Sequence, residues 1–159
     1  MKELVLIIFL SMSFVGCSDE DVTVGAGPSS QTNEVISEQV LDGYVHGVAW
    51  TFLSGRVKKS SFGDSYTFSF WNESIANPCD DFQFGSDSQL IGLIPFEVGT
   101  HSFGNTTNLN FSYDGENLIS TNGRVEVTEI TEERVVGKLV TSFDNDNEVN
   151  GSFELTFCE

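Results

Sequence analysis

The chain has 159 residues, a formal net charge of −17 and 39% hydrophobic residues, 14 of them phenylalanine. Such a length fits one domain with a tail, and the aromatic content is enough to build a buried core, so the chain is not a disordered one. The negative field repels nucleic acid and anionic lipid headgroups. The one basic cluster, Arg56, Lys58 and Lys59, is too small to reverse it.

At the amino terminus, Lys2 precedes an apolar run from Leu4 to Val15, about the length of a secretory h-region and shorter than the roughly 20 residues that span a bilayer. The run ends in Phe14-Val15-Gly16-Cys17: a hydrophobic residue, a small residue, then cysteine. This resembles a bacterial lipobox, and the resemblance implies removal of residues 1–16 and acylation of Cys17 on its sulfur and new amino group. One acyl chain binds a membrane only marginally, whereas two or three hold a domain there. Losing Lys2 and Glu3 together leaves the charge at −17.

Ser18-Asp19-Glu20-Asp21 follows directly. It resembles the acidic export signal of surface-exposed lipoproteins of the Bacteroidota, which implies an outer-membrane location facing the medium. A solvated acidic linker is the plainer alternative. Residues 17–41 are expected to be a tether: the Gly25-Ala26-Gly27-Pro28-Ser29-Ser30 stretch has no periodic hydrophobicity, and a coil of about 24 residues spans on the order of 25–30 Å. Within it, Glu34 to Leu41 has a partial apolar face that predicts a short helical turn.

From residue 42 to 159 the hydrophobic period is two. Tyr44, His46, Val48, Trp50 and Phe52 alternate with smaller residues, as do Tyr66, Phe68 and Phe70, then Leu109, Phe111 and Tyr113, and finally Val149, Gly151, Phe153, Leu155 and Phe157. Each run reads as a strand with one buried face. Turn residues punctuate them about every eight to twelve residues, among them Phe62-Gly63-Asp64, Asp114-Gly115, Asn122-Gly123 and Asp144 to Asn147. Asp114-Gly115 and Asn122-Gly123 predict hairpins. Residues 123–130, 134–143 and 149–157 predict a three-stranded closing meander. The fold expected for 42–159 is therefore all-β, an antiparallel β-sandwich or else a small closed β-barrel. The meander, with Gly123-Arg124-Val125-Glu126-Val127-Thr128, Val136-Gly137-Lys138-Leu139 and Asn150-Gly151-Ser152-Phe153-Glu154, resembles the ending of small β-rich lipoproteins from the same bacteria, which implies fold and no chemistry.

With Cys17 lipidated, Cys79 and Cys158 remain, and an even remainder in an exported protein predicts a disulfide. Closing that loop removes unfolded-state entropy amounting to roughly 4 kcal/mol. Asp144, Asp146 and Glu148 place oxygens at alternate positions, the arrangement hard cations such as calcium use, although the loop lacks the glycine and glutamate of an EF-hand and also reads as an ordinary hairpin turn. Asp80 and Asp81, beside Cys79, are further carboxylates of the same kind.

Trp71, at a strand end before a loop, and Tyr66 are the candidates for an exposed aromatic platform that stacks on sugar rings, while Trp50 is expected in the core. His46 and His101 are the only histidines; neither a Gly-x-Ser-x-Gly elbow nor a His-Glu-x-x-His motif accompanies them. His46 is expected to pack on the Trp50 strand face. The sequence thus leads to a lipid-anchored, non-enzymatic binding or accessory module taking an extracellular glycan or an envelope protein. A structural envelope lipoprotein without a small ligand is the alternative, and a hydrolase the remaining class.

Overall fold

The computed structural model describes residues 35–59, 65–80 and 88–159. The signal, the lipobox, the acidic run, most of the tether, Phe62-Gly63-Asp64 and Asp81 lie outside the described residues.

Eleven strands are formed among the described residues: β1 (Asp42–Val45), β2 (Val48–Thr51), β3 (Ser54–Lys59), β4 (Tyr66–Trp71), β5 (Ser88–Leu93), β6 (Gly99–Ser102), β7 (Asn108–Tyr113), β8 (Glu116–Ser120), β9 (Gly123–Ile130), β10 (Arg134–Asp144) and β11 (Asn147–Cys158). The class is all-β, as the period-two pattern predicts. The strands form one hydrogen-bonded sheet in the order β6-β9-β10-β11-β3-β4-β5-β7-β8, with β1 on β11 and β2 on β1. The pairing does not divide them into the two separate antiparallel sheets of a sandwich. It is also mixed, because β11 and β3 run parallel at Thr156↔Arg56 to Cys158↔Lys58.

The sheet curls into a half-barrel. β8 stands six places from β10 in the strand order, about 29 Å on a flat sheet at about 4.8 Å per strand. Yet Ser120 Oγ at the end of β8 donates to the Ser142 carbonyl of β10 at 2.8 Å, and Thr141 Oγ1 donates to Ser120 Oγ at 2.8 Å. The concave face carries the core: Val57, Phe68, Phe70, Leu90, Phe111, Leu139 and Leu155 are fully buried. Phe70 meets Phe52 and Phe153 edge-on at centroid distances of 6.0 and 5.2 Å.

The closing meander forms as predicted, β9, β10 and β11 pairing antiparallel in sequence. Asp114-Gly115 also turns a hairpin, with φ of 47° and 83° between β7 and β8. Asn122-Gly123 does not: β8 pairs with β7, and β9 with β6 and β10, so the chain there crosses from one edge of the curl to the other.

The run from Tyr44 to Phe52 is not one strand. His46-Gly47, with φ of 49° and 74°, makes a tight turn that folds it into the β1–β2 hairpin. Both residues need positive φ, and histidine joins asparagine and aspartate among the side chains that tolerate it. His46 is therefore a turn residue rather than a member of the Trp50 face.

No helical turn forms between 35 and 41. That segment runs as a strap over β11: Ser37 N donates to Asn150 Oδ1, Ser152 N to the Gln39 carbonyl and Leu41 N to the Ser152 carbonyl. Leu41 is fully buried and Ile36 nearly so. Gly151 makes this approach feasible, since a Cβ there would lie 2.5 Å from Leu41 Cα and its φ of 153° disfavours any side chain. The expected tether thus contributes its last seven residues to the domain. Backbone-to-backbone bonding to a distant strand outweighs a weak local helical preference.

Candidate functional site

Two regions gather the chemistry-bearing side chains, at opposite ends of β11. From Asn147 to Phe157 the strand spans about 33 Å at about 3.3 Å per residue.

The end at Cys158 is covalently closed. Cys79 and Cys158 are bonded, as the cysteine count predicts, with a sequence separation of 79. This ties the segment 72–80 across the outer face of β3 and β4. Arg56 reinforces it by donating from Nη1 to the Pro78 and Asp80 carbonyls, both at 3.0 Å.

Trp71 lies beneath this cover and is 1% exposed, which corrects the expectation of an exposed platform. Phe68 and Phe70 face the core, so by alternation Ser69 and Trp71 face outward, where solvent would reach them without the tied segment. The Arg56 guanidinium carbon sits 5.7 Å above the Trp71 ring, and Trp71 Nε1 donates to Gln89 Oε1 at 3.2 Å. Both the face and the edge of the indole are thereby occupied. Trp50 is 2% exposed in the core, as expected.

Tyr66 has a different setting. It is half-buried at the start of β4, and its ring stacks on Phe96 with centroids 4.1 Å apart and planes 11° from parallel. Phe96 in turn stacks on Phe157 at 5.1 Å, directly before the bridged Cys158. Beside these rings runs an open groove of about 370 Å³, lined by Tyr66, Leu93, Phe96, Glu97, Thr106 and Thr107 among others. Leu93 is 43% exposed, and Thr107, in the groove wall, is 7% exposed. Tyr66 was legible as an aromatic alternation, but Phe96, Glu97 and Thr107 carry no periodic signal. They reach the site only because the chain loops from β5 to β6 and from β6 to β7 beside β4.

The other end holds the carboxylates of the acidic turn. Asp144 Oδ1 accepts from Asp146 N at 3.0 Å and from Asn147 Nδ2 at 2.8 Å. Asn147 is 2% exposed, and its Oδ1 accepts from His46 N at 2.8 Å. Gly47 N donates to the Asp146 carbonyl at 2.8 Å. Asp144 therefore organises the β10–β11 turn and its docking on the β1–β2 turn. Glu148 stands exposed on β11, across from Tyr44 and Ser142. Among the described residues no three histidine, cysteine, aspartate or glutamate side chains converge to hold a metal ion, so Asp144, Asp146 and Glu148 are not assembled into a calcium site. The turn itself uses Asp144 Oδ1, one of the oxygens that coordination would need.

The histidines are far apart in role. His46 is packed at this same end: its ring stacks on Tyr113 at 5.6 Å, Nδ1 lies 3.6 Å from Glu116 Oε2 and Nε2 lies 3.4 Å from the Phe111 carbonyl. His101, on β6, pairs Nε2 with the Glu97 carbonyl at 2.9 Å. Among the described residues, the polar partners of the two rings are the Phe111 and Glu97 carbonyls and the Glu116 carboxylate, with no serine hydroxyl.

On the outer face of the meander, Arg134 bonds to Glu129 at 3.0 Å and pairs with Glu154 at 3.3 Å. Its pKa is raised, first by the hydrogen bond to Glu129. Lys138 bonds to Glu38 of the strap at 2.7 Å with Glu126 at 3.7 Å, and its pKa is raised, first by the hydrogen bond to Glu38 and against the opposing effect of burial. Among the described residues no helix is long and apolar enough to cross a membrane. In comparisons with family models, curated proteins and solved structures, nothing matches this chain.

Proposed function

We propose that the protein is a lipid-anchored, surface-facing, non-enzymatic binding module of the cell envelope, with the Tyr66–Phe96 groove as its ligand surface. The observation that carries this reading is a half-buried aromatic stack bordering an open groove at one end of the half-barrel. Aromatic rings left partly wet beside polar groups suit recognition of an amphipathic ligand.

The path of the chain agrees with it. The strap meets β11 at Asn150 to Ser152, on the order of 20 Å along the strand from Phe157. The described strap thus joins the domain away from the groove end. Acylation of Cys17 supplies the membrane partner, and the acidic run after it supplies the address.

A protein partner is the second reading. Among the described residues β2, β6 and β8 each pair on one side only, and Ile119 on β8 is 55% exposed. An open strand edge can accept a further strand.

The test is fractionation of cells producing the wild type and Cys17→Ser, with protease shaving of intact cells producing the triple alanine variant of Asp19, Glu20 and Asp21. Release of Cys17→Ser from the membrane and protection of the triple variant are the expected results. Unchanged fractionation would remove the anchor, and equal shaving would remove the surface address.

A further inference from the structure

The ligand class can be narrowed from the groove itself, an inference that rests on the binding-module reading. We infer that the groove takes a neutral sugar ring, held against Tyr66, Phe96 and Leu93 on its apolar side and by Glu97, Thr106 and Thr107 on its hydroxyl side.

A pyranose presents one face of C–H groups and a rim of hydroxyls that both donate and accept. The groove has the matching division. Tyr66 and Phe96 are stacked as a unit 4.1 Å apart, and Leu93 adds exposed aliphatic surface at the margin. The rings are held from behind by Phe157, anchored through Cys158, so the apolar wall is preorganised rather than assembled on binding.

The polar wall points the same way. Thr107 is 7% exposed and lies in the groove lining. Its hydroxyl both donates and accepts, the capacity a sugar hydroxyl needs in a partner. Glu97 is exposed at the rim, its backbone carbonyl fixed by His101 Nε2 at 2.9 Å while its carboxylate contributes only acceptors. A carboxylate flanked by two threonine hydroxyls matches adjacent sugar hydroxyls, which donate to the one and exchange with the others.

Charge decides between neutral and acidic sugars. A formal charge of −17 and a carboxylate in the site oppose a uronic acid, a sulfated glycan or a phosphate-bearing polymer. Apolar ligands without hydroxyls would make no use of the Glu97 carboxylate or the threonine hydroxyls in the lining.

The experiment is isothermal titration of the purified protein, with its amino terminus intact in a non-glycosidic detergent. The probes are maltohexaose, xylohexaose, laminarihexaose and polygalacturonate. Binding of at least one neutral hexasaccharide is expected, weakened about tenfold by Tyr66→Ala and about tenfold by Glu97→Gln. Glu97 is exposed, so Glu97→Gln keeps the test valid if Tyr66→Ala perturbs folding. Thr107→Val should weaken binding as well, with an unchanged melting curve.

Neutral binding untouched by both Glu97→Gln and Tyr66→Ala would overturn the groove assignment while leaving a binding module in place. Equal or tighter binding of polygalacturonate would overturn the charge argument. No binding of any of the four would overturn the sugar inference, whereas the anchored-module reading falls separately on the fractionation result.

Discussion

Removing the Cys79–Cys158 bridge gives the sharpest test of how this half-barrel is held. The bond closes a loop with a sequence separation of 79. For a loop of that length the entropy removed from the unfolded chain is about 15 cal/mol/K, or about 4.5 kcal/mol at 25 °C. The native state has its own reasons to feel the loss. β11 meets β3 through only three parallel pairs, Thr156 to Cys158, and that pairing joins the meander to β3, β4, β5, β7 and β8. The double variant Cys79→Ser/Cys158→Ser should therefore lose about 3–5 kcal/mol in urea unfolding, comparable to removal of a native bridge from a small secreted domain. Reductant should lower the wild-type melting temperature and leave the double variant unchanged. Because Phe157 backs Phe96, the near-ultraviolet circular dichroism of the aromatic stack should also weaken. A loss below about 1 kcal/mol, with the bridge confirmed in the wild type by non-reducing peptide mapping, would refute the argument, since a tie that closes so long a loop cannot then be what constrains the chain.

Other outcomes follow from the core, the strap and the acidic turn. Phe70→Ala removes a fully buried ring that touches Phe52 and Phe153, and should cost about 3–5 kcal/mol in chemical denaturation; a cost under about 1 kcal/mol would mean that the core is not packed around it. Gly151→Ala should lift the strap and raise amide exchange at Leu41 and Ser152 above that of the β9–β10 pairing, and unchanged exchange would contradict the close approach. Lys138 has a raised pKa in the folded chain, so its contribution is fully present below the ordinary lysine value and is lost as pH climbs through the folded value. Strap exchange should accordingly quicken in strongly alkaline solution, and Lys138→Met should abolish that added dependence. Calcium should leave the melting temperature unchanged, and a shift that disappeared in Asp144→Ala would restore the turn as a metal site.

Local chemistry and neighbouring contacts contributed unequally to what could be read. Phe68, Phe70, Phe111, Phe153 and Leu155 alternate with smaller or polar residues, and alternation maps directly onto the two faces of a strand, so these strands and their buried sides were legible. The pattern fails at β5, where Gly92 takes an inward position because the Ile94 side chain fills the space beside it. It fails also at His46-Gly47, where the turn interrupts an alternation that continues unbroken in the residue types.

By itself, then, the sequence determined the all-β class, the closing meander, the Asp114-Gly115 hairpin and the cysteine pair left to bond, because each depends on a short-range rule or a count. Tertiary structure alone decided the single curled sheet, the parallel join of β11 to β3, the strap and the fate of the two aromatic candidates. Trp71 and Tyr66 sit on one strand in similar local sequence, yet one is covered and the other lines a groove. Alternation puts Tyr66 on the core side and Trp71 on the outer side. What then decides their exposure is the segment 72–80, carried over Trp71 by a bond to a residue 79 positions away, and the 93–97 and 106–107 loops brought beside Tyr66. Burial is a property of neighbours, and these neighbours are distant in the chain.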